Sequence, residues 1–298
     1  MDSTAYLLGR EPAQIEPPYK GTDLIFAGIR VDGTEIRDAD FAHCTFANIS
    51  FKEARLLHSR FVDCVFISCY FRRADVTDCS FAGCRFISCD FPRIAIRSCD
   101  FRYTQFDDCF IPFPEIEHSL PKEPNLREAL SRNSSIHAAA LGYYDEAREF
   151  RLSEIKVHEE DLKSAVLGRS QWYQEHYQGV RRATAAVSLI SSVLNRVLWG
   201  SGIQAKILLR NFILLTFVLF PTIFAIFKNH FSNSAGVGGT SVWDYVFFSL
   251  GNMLPTGIRT QITPGTPFAN LLTGTESLIG LVICGLFVSY LFNWISER

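Results

Sequence analysis

Cysteines and histidines are the side chains of this 298-residue chain that could bind a metal ion or build a disulfide framework. Eight of the nine cysteines are separated only by multiples of five residues, and the ninth stands alone in an apolar stretch. Such regular spacing indicates a sequence repeat rather than a ligand set. We therefore expect reduced thiols that are buried as small apolar groups. The regularly spaced residues are Cys44, Cys64, Cys69, Cys79, Cys84, Cys89, Cys99 and Cys109, and the isolated one is Cys284.

The histidines give no sign of catalysis. None of the seven lies in a helical His/Glu metal pair or beside a Ser or Cys nucleophile, and His158-Glu159-Glu160 is typical of a solvated helix face. The glycines of 236–239 lie in a polar segment that indicates an exposed loop, not a phosphate-binding turn. We predict that the chain is not an enzyme and binds no metal or cofactor. Its formal charge of −2 gives no reason to expect a nucleic-acid partner.

One segment of the chain, Phe247–Gln261, could take part in ion permeation. Phe247–Gln261 is a short apolar run that breaks into the polar sequence 255–259. Membrane-length apolar stretches precede and follow it, at Ile207–Phe227 and Leu278–Trp294. Because unpaired backbone N–H and C=O groups cannot face hydrocarbon, such a loop must lie outside the lipid or line a water-filled cavity. Our working hypothesis is a pore loop.

A five-residue period dominates residues 24–113. This period fits neither the 3.6-residue turn of a helix nor the two-residue alternation of a strand. It indicates stacked short units that bury one series of side chains along a common axis. The large apolar series is Phe26, Val31, Ile36, Phe41, Phe46, Phe51, Leu56, Phe61, Phe66, Phe71, Val76, Phe81, Phe86, Phe91, Ile96, Phe101, Phe106 and Ile111. A second, mostly small series two residues earlier contains Ala39, Cys44, Ala54, Ser59, Cys64, Cys69, Ala74, Cys79, Cys84, Cys89, Cys99, Thr104 and Cys109.

This pattern resembles the pentapeptide-repeat family. The resemblance implies a right-handed, four-sided β-helix over residues 21–113, with four pentapeptides in each coil. The eighteen units would make about four and a half coils, and a paired-strand spacing of roughly 4.8 Å gives a rod about 20 Å tall. Some relatives mimic DNA and bind type II topoisomerases. The thirteen acidic and eleven basic residues of 21–113 are interleaved, however, so scaffolding or self-association is favoured over phosphate mimicry.

Residues 114–202 form a predicted helical connector. Helix-forming composition begins at about Asn125, and a first helix stops at Gly142. Asp145 is expected to cap a second helix that ends near Gly168. The turn between the two looks like that of one tetratricopeptide-type helical pair. Such a pair could bind a peptide or a second copy, but a rigid coupling role is favoured.

The last connector helix, Arg181–Trp199, is amphipathic. Its arginines lie on or near the side opposite an apolar stripe. This pattern is typical of a helix at the cytosolic headgroup boundary, and packing against the soluble part of the chain is an equal alternative. The stripe consists of Ala183, Ala186, Ile190, Val193, Leu194, Val197 and Leu198.

Residues 203–298 form the predicted transmembrane unit, with spans at about 207–227 and 271–294. The first span has twenty-one residues, which as a helix is about 32 Å and enough to cross a hydrocarbon core of about 30 Å. More basic residues precede this span than follow it, and the N-terminal extension 1–20 lacks the features of a secretory signal. We therefore expect a multi-pass protein of the cell membrane with both termini in the cytosol.

The order of span, short helix, loop and span resembles the pore module of the potassium-channel superfamily. This resemblance covers about a quarter of the chain and implies an all-α module with a re-entrant pore helix at about 241–252, a filter-like loop at 253–263 and a fourfold axis. The residues that carry it are Phe248-Ser249-Leu250 before the loop, Thr256-Gly257 within it, Ile262-Thr263-Pro264 after it, and Glu276 with Gly280 in the inner helix.

The filter-like loop departs from the pattern of that family. A filter resembling Thr-Val-Gly-Tyr-Gly uses two glycines so that successive carbonyls point at the ion. Arg259 stands where the second glycine is expected, and arginine lacks glycine's backbone freedom and adds a charge. Four such arginines around the axis would repel cations, whereas an Arg259 that faces lipid headgroups or Asp244 would not, and both arrangements stay open. The predicted filter residues are Thr256, Gly257, Ile258, Arg259, Thr260 and Gln261, and the supporting residues are Glu276, Gly280, Gly285, Phe287 and Leu291.

These patterns predict a multidomain membrane protein with a β-solenoid, a helical connector and a two-span pore module. The predicted function is an oligomeric ion channel, a homotetramer in the lipid bilayer, that conducts anions or selects weakly among ions. Its solenoid or helical pair would bind a cytosolic protein or peptide. A membrane-anchored scaffold whose pore module does not conduct is the main alternative, and a topoisomerase-binding DNA mimic is a third.

Replacing Arg259 by alanine tests the unusual filter. If four arginines surround the axis, removing their charge should lower the permeability to anions relative to cations, as measured from the reversal potential in a KCl gradient. Unchanged permeability ratios would rule out the charged ring. A parent protein that reverses at the potassium equilibrium potential would rule out an anion pore.

Overall fold

The computed structural model describes residues 14–17, 19–202, 204–233, 241–254 and 261–296. The chain divides into two compact units, Met1–Ala185 and Ala186–Arg298. The first unit contains a β-solenoid followed by helices. The second contains two helices that are long and apolar enough to cross a membrane.

Short parallel strands build the solenoid. Each residue pairs with the residue twenty positions later, so that Phe26, Phe46, Phe66, Phe86 and Phe106 lie in register along one side. Three hydrogen-bonded stacks and a fourth row of single bridges form the four sides, which confirms a solenoid of about four turns. The strands are β1 (Lys20–Thr22), β2 (Ile25–Ala27), β3 (Glu35–Arg37), β4 (Asp40–Ala42), β5 (Thr45–Ala47), β6 (Arg55–Leu57), β7 (Arg60–Val62), β8 (Val65–Ile67), β9 (Asp75–Thr77), β10 (Arg85–Ile87), β11 (Ala95–Arg97) and β12 (Gln105–Asp107).

The corners of the solenoid require an unusual backbone conformation. Every fifth residue from Asp23 to Asp108 has a positive φ, between 49° and 73°. Aspartate, asparagine and glycine tolerate this left-handed region better than most residues, and Asp, Ser, His, Asn and Gly occupy most of these corners. The corners are therefore a third five-residue series, which follows each large apolar residue by two positions.

The interior consists of the two side-chain series that the sequence predicted to be buried. All eighteen large and all thirteen small residues are 9% exposed or less. The rings of Phe46 and Phe86 each stack on Phe66 at a centroid distance of 4.8 Å, close to the spacing of paired strands. Rings of neighbouring sides meet edge to face, as Phe61 and Phe66 do at 5.6 Å.

The eight solenoid thiols are free and buried. Each donates a weak hydrogen bond to the backbone carbonyl 23 residues earlier, for example Cys69 Sγ to Phe46 O and Cys84 Sγ to Phe61 O, both at 3.2 Å. Burial raises the pKa of the Cys109 thiol to about 12, so that thiol is neutral at physiological pH. These contacts confirm the prediction of reduced thiols that are buried as small groups.

Helices close the last coil of the solenoid. They are α1 (Phe113–Ile116), α2 (Pro124–Ala140) and α3 (Tyr144–Leu167). Asn133 Oδ1 on α2 accepts a hydrogen bond from Phe106 N at 2.8 Å, and His137 Nδ1 accepts one from Asp108 N at 3.1 Å. These two acceptors take the place of a further strand at the last coil. The sheet edge is thereby protected from pairing with another chain.

The boundary between α2 and α3 differs from the prediction in one respect. Asp145 was expected to cap α3, but this was wrong because the helix begins one residue earlier, at Tyr144. Asp145 lies in the first turn and pairs with Arg148 at 3.3 Å. The other end agrees with the prediction, since Gly168 follows the helix in the left-handed conformation, with φ of 62°.

Helices dominate the remainder of the chain. They are α4 (Gln171–His176), α5 (Val180–Trp199), α6 (Ala205–Ile226), α7 (Val242–Met253) and α8 (Pro267–Ser296). A π-helical turn, Leu215–Leu219, interrupts α6. The antiparallel pair β13 (Phe231–Asn233) and β14 (Ile262–Pro264) brackets the segment that contains α7. The two membrane-length helices are α6 and the part Pro267–Phe292 of α8.

Replacing Phe66 by alanine should destabilise the solenoid by about 3–5 kcal/mol, because the change removes a ring that contacts phenylalanines above, below and beside it. Guanidinium unfolding of the full chain in detergent, followed by the β-sheet circular dichroism signal, measures the loss. Tyr103→Ala is the control because its ring is 69% exposed, and its effect should stay within about 0.5 kcal/mol. Equal effects of the two substitutions would contradict a close-packed ring column.

Candidate functional site

The candidate site is the contact between the short helix α7 and the long apolar helix α8. The twelve residues of α7 give a length of about 18 Å, too short to cross a bilayer. Its N-terminus has a capping box, in which Ser241 Oγ accepts from Trp243 N at 3.4 Å and Asp244 Oδ2 accepts from Ser241 N at 2.8 Å. The cap defines where α7 begins.

A buried carboxyl group joins the two helices. Glu276 of α8 is fully buried, and its side chain accepts hydrogen bonds from Ser249 Oγ at 2.5 Å and Asn252 Nδ2 at 2.9 Å. Both donors belong to α7, three residues apart, so they lie on one face of that helix. Both carboxyl oxygens of an otherwise costly buried group are thereby satisfied.

Close backbone packing adds to this polar contact. A Cβ atom on Gly280 would lie 2.7 Å from Met253 Cα and 2.8 Å from Met253 C, at the end of α7. Because those atoms belong to the backbone, a larger residue at 280 would force the two helices apart. The glycine therefore holds α7 against α8 one helical turn beyond Glu276.

Aromatic side chains hold α7 against α6 on its other side. Phe224 of α6 is fully buried and meets Phe248 of α7 edge to face at 5.1 Å. Phe231 of β13 contacts both rings, at 5.2 and 5.8 Å. The short helix is thus packed between the two membrane-length helices of its own unit.

The structure brings together only part of the predicted site. Thr256, Gly257, Ile258, Arg259 and Thr260 lie outside the described residues, and Gln261 is exposed just before β14. Glu276 and Gly280 contact α7, as given above. A Cβ on Gly285 would meet no described residue within 4 Å, and Phe287 and Leu291 are each 40% exposed.

Ser249 and Asn252 are the site residues whose role the sequence did not reveal. The sequence pattern placed Ser249 before the predicted loop and gave Asn252 no role. Their spacing of three within an apolar helix places two polar groups on one face, and that signal could have indicated a polar contact with Glu276.

The solenoid surface carries charges that pair between coils. Arg55 Nη1 lies 2.8 Å from Glu35 Oε2, and Arg97 Nη1 lies 3.1 Å from Asp75 Oδ1. Each pair joins adjacent coils within the same stack of strands. The guanidinium of Arg102 lowers the pKa of the Asp100 carboxyl. Among the residues that the structure describes, no group of three His, Cys, Asp or Glu side chains could hold a metal ion.

Residues 34–111 match the family described as pentapeptide repeat region. This segment is a pentapeptide-repeat domain, as the five-residue period predicted. The match covers β3 to β12 and does not extend to the helices.

Solved structures of QnrB1, a plasmid-mediated fluoroquinolone resistance protein, are similar to part of the chain. A trypsin-treated variant is 25% identical with a TM-score of 0.23, over 30% of this chain and 47% of that one. The full-length protein is 22% identical with a TM-score of 0.14, over 28% and 46%. A second trypsin-treated variant is 20% identical with a TM-score of 0.13, over 29% and 57%. The similarity thus spans about half the length of QnrB1, and no curated protein matches the chain.

Replacing Gly280 by alanine should lower the stability of the helical unit by about 1–3 kcal/mol, because the new methyl group collides with the Met253 backbone. Thermal unfolding of the full chain in detergent measures this change. Gly274→Ala is the matched control on α8, because a Cβ there meets no atom of the described residues within 4 Å, and it should stabilise the helix by up to about 1 kcal/mol. A Gly280 variant as stable as the control would contradict the close contact of α7 and α8.

Proposed function

We propose that the chain is one subunit of an oligomeric membrane pore that carries a pentapeptide-repeat solenoid outside the bilayer. The observation that carries this proposal is the docking of α7, a helix too short to span a membrane, onto α8 through Glu276, Ser249 and Asn252. A polar contact in the middle of an apolar unit is expected at a functional element of a membrane protein.

The exposure of α6 and α8 supports a membrane location. Only 28% of the most apolar part of α6 and 17% of that of α8 is buried inside the chain. A core helix of a soluble protein would be mostly covered, because exposing an apolar surface of this size to water is unfavourable. Lipid or neighbouring subunits would cover the remaining surface.

Oligomerisation follows from the number of helices. The described residues of one chain offer two membrane-length helices and the short helix α7, which are too few to enclose a pore. Several copies around an axis would place the loop after α7 at the centre, by analogy with the superfamily that the order of these elements resembles. Four copies are the number that this analogy implies.

The composition of the loop favours anion-conducting or weakly selective permeation over potassium selectivity. Arg259 replaces the second glycine of a potassium filter and brings a positive charge. A ring of basic side chains is a known means of selecting anions. The solenoid would then serve as a docking or assembly domain, since its surface charges are interleaved rather than uniformly acidic.

Conduction can be tested with purified protein in planar bilayers. We expect single-channel currents from the parent chain and none from Glu276→Leu, because leucine leaves Ser249 and Asn252 without their acceptor, at a cost of about 1–3 kcal/mol for each buried donor. Glu276→Gln keeps one acceptor oxygen and should retain part of the current. Thr275→Val is the matched control, because Thr275 is exposed and its hydroxyl donates to Leu272 O within its own helix.

The same experiment separates the pore from the alternative function. A parent chain that inserts into bilayers as an oligomer but passes no current under any gating condition would favour a membrane-anchored scaffold. Currents that are unchanged in Glu276→Leu would refute the role of the α7–α8 contact while leaving conduction in place.

A further inference from the structure

The last coil of the solenoid is bonded to the coil before it on the side that carries residue 101. Phe81 N donates to Asp100 O at 2.8 Å, and Gly83 N donates to Arg102 O at 2.9 Å. In the other direction, Asp100 N donates to Cys79 O at 2.9 Å. The backbone groups of residues 100 and 102 are therefore used by the coil below.

The residues between these positions direct their backbone groups away from that coil, as alternate residues of a strand do. Phe101 N and Tyr103 N have no acceptor, and Cys99 O has no donor, among the residues that the structure describes. The acceptors of α2 serve a different side of the coil, at Phe106 and Asp108. An edge of this kind presents a row of backbone groups onto which another strand can pair.

A cleft lies against this open edge. Its volume is about 490 Å³, within the range of about 300–1,000 Å³ that ligand pockets occupy. One wall contains Cys99 and Asp100 of the edge, and the other is the segment 118–123 that leads from α1 to α2. Leu120 and Pro121 are buried and give the second wall an apolar part.

The segment 118–123 follows the course of a further coil without forming its strand. Ser119 lies twenty residues after Cys99, and its Oγ accepts a hydrogen bond from Cys99 N at 3.2 Å. Leu120 is extended, with φ of −63° and ψ of 143°, as expected before a proline. Beyond Ser119, no backbone hydrogen bond joins the described part of this segment to the edge. The cleft therefore occupies the place that a strand takes in the lower coils.

The charges around the cleft leave one cation without a partner. Arg102 donates to Asp100 from Nη2 at 2.8 Å and from Nε at 3.0 Å, so these two charges neutralise each other. Glu123 Oε1 lies 3.9 Å from Arg102 Nη1. Lys122 is exposed and has no acidic partner among the described residues. A positive charge thus stands beside the open backbone row and favours an acidic ligand.

We infer that this edge binds an extended acidic peptide of a partner protein by strand addition. The peptide backbone accepts hydrogen bonds from Phe101 N and Tyr103 N and donates one to Cys99 O, which provides affinity. An acidic side chain of the peptide pairs with Lys122, which provides specificity. The inference deepens the docking role that we propose for the solenoid, because it names the site and the chemistry of the partner.

Hydrogen exchange of the full chain in detergent tests the backbone contacts. The probe is the five-residue peptide TVEVT, capped at both ends, whose threonines and valines favour extended structure. Mass spectrometry with residue-level fragmentation should show fast exchange at the amides of Phe101 and Tyr103 without peptide and protection with it. Phe106 N already donates to Asn133, so its exchange should not change.

Fluorescence polarisation of labelled peptides tests the role of Lys122. The parent chain should bind TVEVT about two- to fivefold more tightly than TVKVT, which is the range for an exposed ion pair. Lys122→Glu should reverse this preference. Lys52→Glu is the matched control, because it makes the same charge change at an exposed solenoid position outside the cleft. It should keep the preference of the parent.

Several outcomes would overturn the inference. These are binding of neither peptide at millimolar concentration, binding without protection of Phe101 and Tyr103, and protection of both amides before peptide is added. Protection that rises with protein concentration alone would assign the edge to a second copy of this chain instead. Equal effects of Lys122→Glu and Lys52→Glu would refute the acidic specificity.

The planar-bilayer currents separate this inference from the proposed pore. A chain that conducts but whose cleft binds neither peptide would refute strand addition alone. A chain that binds TVEVT with protection of the edge but passes no current would refute the pore alone.

Discussion

Hydrogen bonding between residues twenty positions apart is the constraint on which the first unit depends. It places successive coils at the spacing of paired strands, and that spacing is also a favourable distance for stacked aromatic rings. The same residue type can therefore recur in every coil without a clash, as the column through Phe66 does. Each thiol finds a carbonyl of the coil before it in the same way. Because a stack of this kind ends in unpaired strands, the acceptors of α2 are needed at its last coil.

The second unit depends on a polar contact in apolar surroundings. Leucine-like side chains give helices little preference for one another over lipid, so association in a membrane needs hydrogen bonds and close backbone approach. The α7–α8 contact has both, in Glu276 with its two donors and in Gly280 against Met253. This explains how a helix of twelve residues can be held in a defined position between longer ones.

Much of the fold could be predicted because its signals are local. A five-residue period is visible without knowing any contact, and its resemblance to the pentapeptide-repeat pattern predicted the solenoid. The length and apolar composition of α6 and α8 are local properties as well. The corners at positive φ were not predicted because their residue types vary, although Asp, Ser, His and Asn recur there with the same period. The prediction that Asp145 caps α3 was wrong because the preference of aspartate for helix starts does not fix the exact residue at which a helix begins. The helix begins at Tyr144.

The amino-acid pattern was sufficient to establish the repeat, its buried columns and the two membrane-length helices, since each of these depends on side-chain order along the chain. Only the tertiary structure determines which side chains contact Glu276 and which of Gly280 and Gly285 packs against α7. Ser249 and Asn252 are 27 and 24 residues from Glu276, so no local pattern joins them. The two glycines look equivalent in sequence, but five residues turn a helix by about 140°, and only one of them faces α7.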